Sequence, residues 1–457
     1  MFSAPGIAAL ILLIYIKPQE FIPGLEGVPL LYGFLGLAIF GFILDLRLGH
    51  ARFDPPPHWP YVALFVPWAF TTFLAKAGGG GFVAPATNLI IVVILFFIVA
   101  MAIQTFRSFE VVMGALLAAT LFVTGVCLHQ GFAPLGCAVQ EGATMEMLRP
   151  DGRPCNTAEE CSEGDAEPGA QYQCERMGLF GTVSVGRGRV RYRGVLKDPN
   201  EVALTCGAVL PALFARNERQ SSLSRTTLLI AGFVATAIMI VFTQSRGGIL
   251  VFLAVVGAYF IKRFGVKGAA AGAVLALPLL LLGGRSGSEA EDSANERTEV
   301  LAAGMQMFQG DPILGVGYDQ FQNHHHLTAH NSFMLALAEM GLFGLFLFLA
   351  LLYVSFKICI LALKRYDRSP EAKVAGVWSM AVLAAFCGVS IGSFFLSFTY
   401  HQVLWIYLGL SGALYGVIRR HDTTFGIKVG LFEHALLGMA AVGFPVVLKL
   451  FLRAKGH

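Results

Sequence analysis

The stretch ERTEVLAAGMQMFQGDPILGVGYDQFQNHHHLTAHNSFMLALAEMGLFG, residues 296–344, decides how this chain is read. It opens as a polar amphipathic segment. It passes a turn at Gly310-Asp311-Pro312 and a glycine-rich corner at Gly315-Val316-Gly317. It then delivers a run of histidines to the mouth of a long apolar helix. Titratable side chains on an irregular loop beside a membrane span are costly, and function is the usual reason for them. The rest of the chain reads as a scaffold that places this loop.

Composition sets the class. Of 457 residues, 56% are hydrophobic and 14% charged, whereas soluble domains carry about 25% charged residues. Apolar runs near the ~20 residues needed to cross a bilayer recur throughout. The expected fold is an all-α polytopic membrane protein with about 12 transmembrane helices, near 5–16, 29–46, 60–75, 83–103, 108–127, 199–215, 227–243, 247–262, 267–283, 332–361, 374–396 and 402–418. A last apolar stretch, 432–452, reads as a thirteenth span, an interfacial segment or a hairpin. The run Ile7 to Ile16 lacks the flanks of a cleaved signal and reads as the first span. The net charge of +4 gives no reason to expect a nucleic-acid partner.

The basic residues give an orientation. With a cytoplasmic N-terminus, Arg47, Arg52, Arg107, Arg216, Arg219, Arg225, Lys262, Arg263, Lys267, Lys364, Arg365, Arg368, Lys373, Arg419, Arg420 and Lys428 fall inside. The short outer loops hold little beyond Lys17 and Lys76, although a thirteenth span would leave Lys449, Arg453 and Lys455 outside. The expected divisions are helices 1–5 (1–127), a first outer loop (128–198), helices 6–9 (199–283), a second outer loop (284–331) and the C-terminal helices (332–457).

The first outer loop reads like a soluble module. Cys137, Cys155, Cys161 and Cys174 lie in it without a CxxC pair, which disfavours zinc and favours two disulfides; sequence cannot choose among the three pairings. Between Cys137 and Met177 the loop has nine acidic residues against three arginines. Then the sign reverses, with Arg187, Arg189, Arg191, Arg193 and Lys197. If this segment is extended, the four arginines share one face, away from Gly188, Val190 and Tyr192. Such a row suits phosphate oxygens, or forms a basic collar on lipid headgroups. Arg193 is the strongest candidate for a specific role, being closest to the Asp198-Pro199-Asn200-Glu201 run. There Asp198 suits an N-cap and Pro199 a first helical position, while Asn200 and Glu201 can hydrogen-bond a ligand or brace the arginines.

Arg246, in Thr243-Gln244-Ser245-Arg246-Gly247-Gly248, stands at a tight turn between two apolar helices. It can snorkel to headgroups or face a polar cavity, and the glycines opening the next helix favour an anion. In the second outer loop, Gly283 to Asn295 is expected to be mobile, with a membrane-surface helix following to Gln309 and Arg297 near its start. Consecutive histidines rarely converge on one ion, so no metal is expected at His324, His325 and His326. His330, just before Asn331-Ser332 and the tenth span, is placed to exchange a proton near neutral pH.

Taken together, the Arg193-to-Asn200 run, the S-R-G-G turn, the D-P-I-L-G-V-G corner and A-H-N-S-F followed by E-M-G-L-F-G resemble the O-antigen ligase/O-antigen polymerase superfamily of bacterial envelope glycosyltransferases. Tyr15-Ile16-Lys17-Pro18-Gln19-Glu20 also looks like members linked to exopolysaccharide systems, whereas the cysteine insert lies outside the family pattern. The resemblance implies a GT-C-like architecture in the bacterial inner membrane, with the active site facing the periplasm. It implies inverting transfer of a glycan from an undecaprenyl-diphosphate donor to an acceptor hydroxyl, with neither cofactor nor metal. In that chemistry Arg246 and Arg297 clamp the diphosphate, and His330 orients or deprotonates the acceptor. Arg193, Arg191, Asn200, Asp198 and Asn331 complete the substrate site. The implied partners are the lipid-linked oligosaccharide, an acceptor glycan or lipid A-core, membrane lipids, and chain-length regulators or other polysaccharide-assembly proteins.

Ligase, polymerase and protein O-oligosaccharyltransferase share these motifs, and the N-terminal run tips the reading slightly to polymerase. A transporter or flippase for the lipid-linked glycan is the alternative of a different class. It would want charged or broken helices at mid-membrane, whereas the spans here read as free of charge, with polar groups on one side only. A structural or sensor protein built on the disulfide module is a third, weaker option.

Overall fold

Long apolar helices dominate the computed structural model, which describes residues 2–140, 148–163, 166–167, 169–186, 188–282, 288–367, 369 and 372–456. In chain order these are α1 (Ser3–Ile16), α2 (Leu30–Arg47), α3 (Trp59–Ala77), α4 (Val83–Ala102) and α5 (Phe106–Phe132). A small module follows, with β1 (Leu135–Gln140), β2 (Leu148–Pro154), α6 (Ala158–Cys161) and β3 (Tyr172–Arg176). Then come α7 (Pro199–Val209), α8 (Pro211–Arg219), α9 (Leu223–Thr243), α10 (Arg246–Leu282), α11 (Ser288–Gly310), α12 (Phe321–His324), α13 (Ser332–Tyr366), α14 (Lys373–Gly392), α15 (Gln402–His421) and α16 (Leu431–Ala454).

Among the described residues, eight helices are long and apolar enough to cross a membrane, against the twelve expected. Helix α1 has 14 residues; at about 1.5 Å per residue it covers ~21 Å, short of a ~30 Å hydrocarbon core. The span expected at 199–215 is divided into α7 and α8, because Pro211 has no N–H to continue the ladder. The spans expected at 247–262 and 267–283 are one helix, α10, broken at Gly265, which has φ 63°. The spans are not free of charge either. Lys357 of α13 pairs with Glu433 of α16, and Glu339 lies buried in α13.

The chain forms two compact units, one of residues Met1–Ala4, Ala38–Glu110 and Ser286–His457, the other of Pro5–Leu37 and Val111–Arg285. In the first, α4 and α15 approach closely because Gly409 and Gly412 leave room for Val99 and Ala100. Helix α16 settles the last apolar stretch as a 24-residue helix packed on α13 and α11. It starts with Glu433 beside Tyr353 and Lys357. Eleven residues on, the Phe444 ring lies 6.1 Å from that of Phe333.

The dominant feature of the first unit is a break in α13 at Gly341, where φ is 66° and ψ −166°. The two arms lie side by side, with the Phe333 and Phe348 rings 5.5 Å apart. Fifteen residues of straight helix would set them about 22 Å apart. The break frees backbone groups, and the 311–317 corner satisfies them. The Val316 and Gly317 amides donate to the Ala338 and Glu339 carbonyls at 2.8 and 3.0 Å, and the Leu342 amide donates to the Pro312 carbonyl at 3.0 Å. Trp68 Nε1 donates to the Met340 carbonyl at 2.9 Å. A Cβ at Gly315 or Gly341 would overlap the facing backbone, at Ala338 and Ile313 respectively.

In the second unit the cysteine module departs from the all-α expectation. Its three strands form an antiparallel sheet in the order β2-β1-β3. Disulfides join Cys137 to Cys161 and Cys155 to Cys174, choosing one of the three pairings that sequence left open. They close a small buried core with Leu135 and Tyr172 against it.

The α13 break makes a direct prediction. Gly341→Ala should cost about 2–4 kcal/mol, from left-handed strain plus backbone overlap, and lower the thermal midpoint of the detergent-solubilised protein. Gly257→Ala, where an added Cβ meets nothing within 4 Å, should leave the midpoint unchanged or raise it. Equal midpoints for both variants would show that the corner does not lock the break.

Candidate functional site

The sequence-predicted residues fall into the two units. Arg191, Arg193, Asp198, Asn200 and Arg246 lie in the second, Arg297, His330 and Asn331 in the first.

In the second unit the expected arginine row is not one exposed face. Arg187 lies outside the described residues. Arg189 and Arg191 are buried together with Val190 and Tyr192 on the alternate positions. Arg189 Nε donates to the Thr243 carbonyl at 3.1 Å, and Arg191 Nε to the Val183 carbonyl at 2.9 Å. The Val190 amide donates to Phe242 at 3.2 Å, so the segment wraps the C-terminal end of α9. The physical reason is donor supply. Irregular loops and helix ends expose carbonyls that need partners once buried, and guanidinium forks satisfy them.

Arg193 is held in the same way. Its Nη1 donates to the Glu20 carbonyl at 2.6 Å and its Nη2 to the Phe180 carbonyl. Tyr192 Oη donates to the Ile16 carbonyl at 2.7 Å, and Lys17 pairs with Glu20 at 3.0 Å. Gly194 has φ 56°, a left-handed backbone that favours glycine, and it faces the Lys17 side chain. The N-terminal Tyr15–Glu20 run is thus a brace for the Arg193 loop. Sequence reasoning did not assign it that role.

Asp198 caps α7, accepting from the Asn200 amide at 2.6 Å, and Glu201 completes a capping box, accepting from the Asp198 amide at 3.3 Å. Glu201 therefore has a local role that the sequence reading left open. Asn200 Oδ1 accepts from Ser245 Oγ at 2.6 Å, and Ser245 Oγ accepts from the Gly248 amide at 3.0 Å. Helix α7 and the S-R-G-G turn are therefore one assembly, packed tightly where Gly248 faces Ala203. Arg246 opens α10 and is exposed. Gln244, before it, holds a left-handed backbone at φ 51°.

In the first unit, α11 starts at Ser288, before the expected Asn295, so the second half of the segment expected to be mobile is helical; residues 283–287 lie outside the described residues. Arg297 extends from α11 over the Phe395 ring, with Cζ 5.9 Å from its centroid. Asn331 caps α13 by accepting from the Met334 amide at 2.9 Å, and its Nδ2 donates to the Phe394 carbonyl at 3.2 Å. Ser332 ties the same turn down, its amide donating to Ser393 at 2.7 Å and its Oγ to Leu396 at 2.6 Å. The loop 393–401, which sequence reasoning missed, thus receives both Arg297 and the His330–Ser332 turn. Its residues carry no charge before His401, so the sequence offered no signal. His330 has φ 47°. A non-glycine residue there stores about 1–3 kcal/mol of strain, a cost that clusters at functional sites.

The three consecutive histidines make local contacts. His324 Nδ1 lies 3.0 Å from the Gln320 carbonyl, and the His325 and His326 rings stack at 4.5 Å. Glu339 Oε1 accepts from the Phe321 amide at 3.0 Å and so anchors the histidine loop to α13. At the corner, Asp311 accepts from the Leu314 amide at 3.0 Å and from Lys76 Nζ at 2.6 Å. These contacts hold its carboxyl below the usual range. The most metal-like cluster among the described residues is Cys137, Cys155 and Cys161, whose sulphurs lie within 4.8 Å of one another; the disulfides consume those thiolates.

Comparison with known families covers residues of both sets. Residues 231–349 match the O-antigen ligase family model. The match covers about a quarter of the chain and supports the O-antigen ligase/polymerase superfamily for it, as the motifs implied. It runs from α9 into α13 and contains Arg246, Arg297, His330 and Asn331, with Arg193 and Asn200 upstream of it. No curated protein matches the chain.

The Asn200–Ser245 contact predicts coupling. In a double-mutant cycle with Asn200→Ala and Ser245→Ala, unfolding free energies should be non-additive by about 1 kcal/mol. Additive losses would show that α7 and the turn are not joined through this bond.

Proposed function

We propose that the chain is an inner-membrane glycosyltransferase that moves a glycan from an undecaprenyl-diphosphate donor to an acceptor hydroxyl at the periplasmic face. It acts as an O-antigen or exopolysaccharide polymerase, or as an O-antigen ligase. One observation carries this reading: the family match spans the exposed Arg246 at the head of α10, Arg297 on α11 and the strained His330 before α13.

In the proposed step the acceptor oxygen attacks the anomeric carbon of the donor sugar. The bond from that carbon to the phosphate oxygen breaks, and its electron pair leaves with the diphosphate. The hydroxyl proton passes to His330. Arg246 and Arg297 offset the charge that develops on the leaving group, the electrostatic contribution that dominates such reactions. The start of α10 supports the role of Arg246, because helix N-termini favour anions.

The test is reconstitution with a fluorescent undecaprenyl-diphosphate oligosaccharide, offered lipid A-core or a second donor molecule. A ladder of products identifies a polymerase, and a single shift of lipid A-core a ligase. His330→Ala and Arg246→Ala should each lower turnover by about 10²–10⁴-fold, Arg297→Ala should also lower it, and EDTA should leave turnover unchanged. Wild-type turnover in both His330→Ala and Arg246→Ala would sink the assignment.

A further inference from the structure

A cavity of about 480 Å³ opens beside the 311–317 corner, within the range of ~300–1,000 Å³ typical of ligand sites. One wall is a single face of α11, with Ala303, Gln306, Met307 and Gly310 at helical spacing. The opposite wall is the corner itself, with Asp311, Gly315 and Val316, continued by Gln320 and His324. Lys76, at the end of α3, lies between them and is fixed to Asp311 Oδ2 at 2.6 Å. All of these residues belong to the first unit.

We propose that this cavity is a glycan subsite that takes uncharged, hydroxyl-rich sugar residues; the inference rests on the glycosyl-transfer reading above. Its chemistry separates it from a diphosphate site. The one cation and the one carboxylate of the lining are paired, so the wall offers an anion no net attraction. It offers instead the carboxamides of Gln306 and Gln320, beside a charge pair that can accept and donate; Gln320 Nε2 already donates to the Asp319 carbonyl at 3.2 Å, which leaves its second N–H and second oxygen lone pair for a ligand. Adjacent sugar hydroxyls need such mixed partners. Ala303, Met307 and Val316 supply an apolar surface for the C–H face of a ring.

The lining is pre-set. The break at Gly341 holds the corner, the Gln320 carbonyl lies 3.0 Å from His324 Nδ1, and Gln320 Oε1 accepts from Asn323 Nδ2 at 2.7 Å. Two of its lining residues, Gln320 and His324, belong to the segment that ends at His330. A glycan seated here would touch the stretch that carries the proposed base, with His324 as its nearest lining residue in sequence.

The test uses the full-length protein in nanodiscs and two probes, the lipid-free repeat-unit oligosaccharide and undecaprenyl diphosphate lacking sugar. Gln306→Ala, and separately Gln320→Ala, should weaken oligosaccharide binding about tenfold and leave undecaprenyl diphosphate binding unchanged. Both side chains lie at the cavity surface, and equal thermal midpoints would confirm that the variants fold. Unchanged oligosaccharide affinity in both, or no oligosaccharide binding by wild type, overturns the proposal even if glycosyl transfer is observed. Selective loss of oligosaccharide binding supports it even if no transfer is found, so the two readings fail separately. Where transfer is measured, a raised KM for acceptor assigns the subsite to acceptor sugars, and a raised KM for donor assigns it to the donor glycan.

Discussion

The first unit depends on backbone hydrogen bonds left open when α13 breaks at Gly341. A helix interior cannot leave buried amides and carbonyls unpaired without large cost. The chain solves this by inserting the 311–317 corner into the gap, where its amides meet the carbonyls of Ala338 and Glu339 and its Pro312 carbonyl meets the Leu342 amide. Two motifs that are separate in sequence are therefore halves of one joint. Glu339 extends the joint by holding the Phe321 amide, which fixes the start of the histidine loop. Asn331 and Ser332 fix its end through the 393–401 loop.

The second unit uses the same logic with side chains as the donors. Arg189, Arg191 and Arg193 satisfy carbonyls of Thr243, Val183, Glu20 and Phe180. Those arginines shape a loop around α9 and α7. Asn200 then joins α7 to the turn that presents Arg246. A run of guanidiniums that looks like an anion site in sequence can thus be largely a scaffold, with one exposed arginine presented beyond it.

Much of this was legible beforehand, for definite reasons. Helices follow from apolar runs, and the Asp198-Pro199 cap from residue chemistry that acts within a few positions. The break in α13 was not legible. Gly341 sits in an apolar run that reads as unbroken, and the need for a left-handed residue appears only when the corner meets it. The expectation of one arginine face at a membrane surface failed because the segment is buried on both sides, with Arg189 and Arg191 as covered as Val190 and Tyr192. The 393–401 loop was passed over because its contribution is made by backbone carbonyls, which every residue has. The family motifs themselves were recognised, and the match over 231–349 agrees with them; their physical roles came from the contacts.

The most direct measurement is the release of undecaprenyl diphosphate from a lipid-linked oligosaccharide by the purified protein in proteoliposomes. The account predicts release that depends on an added hydroxyl acceptor, matches the glycan transferred mole for mole, and inverts the anomeric linkage. Acceptor-independent movement of intact donor across the bilayer, with no diphosphate released, would contradict it.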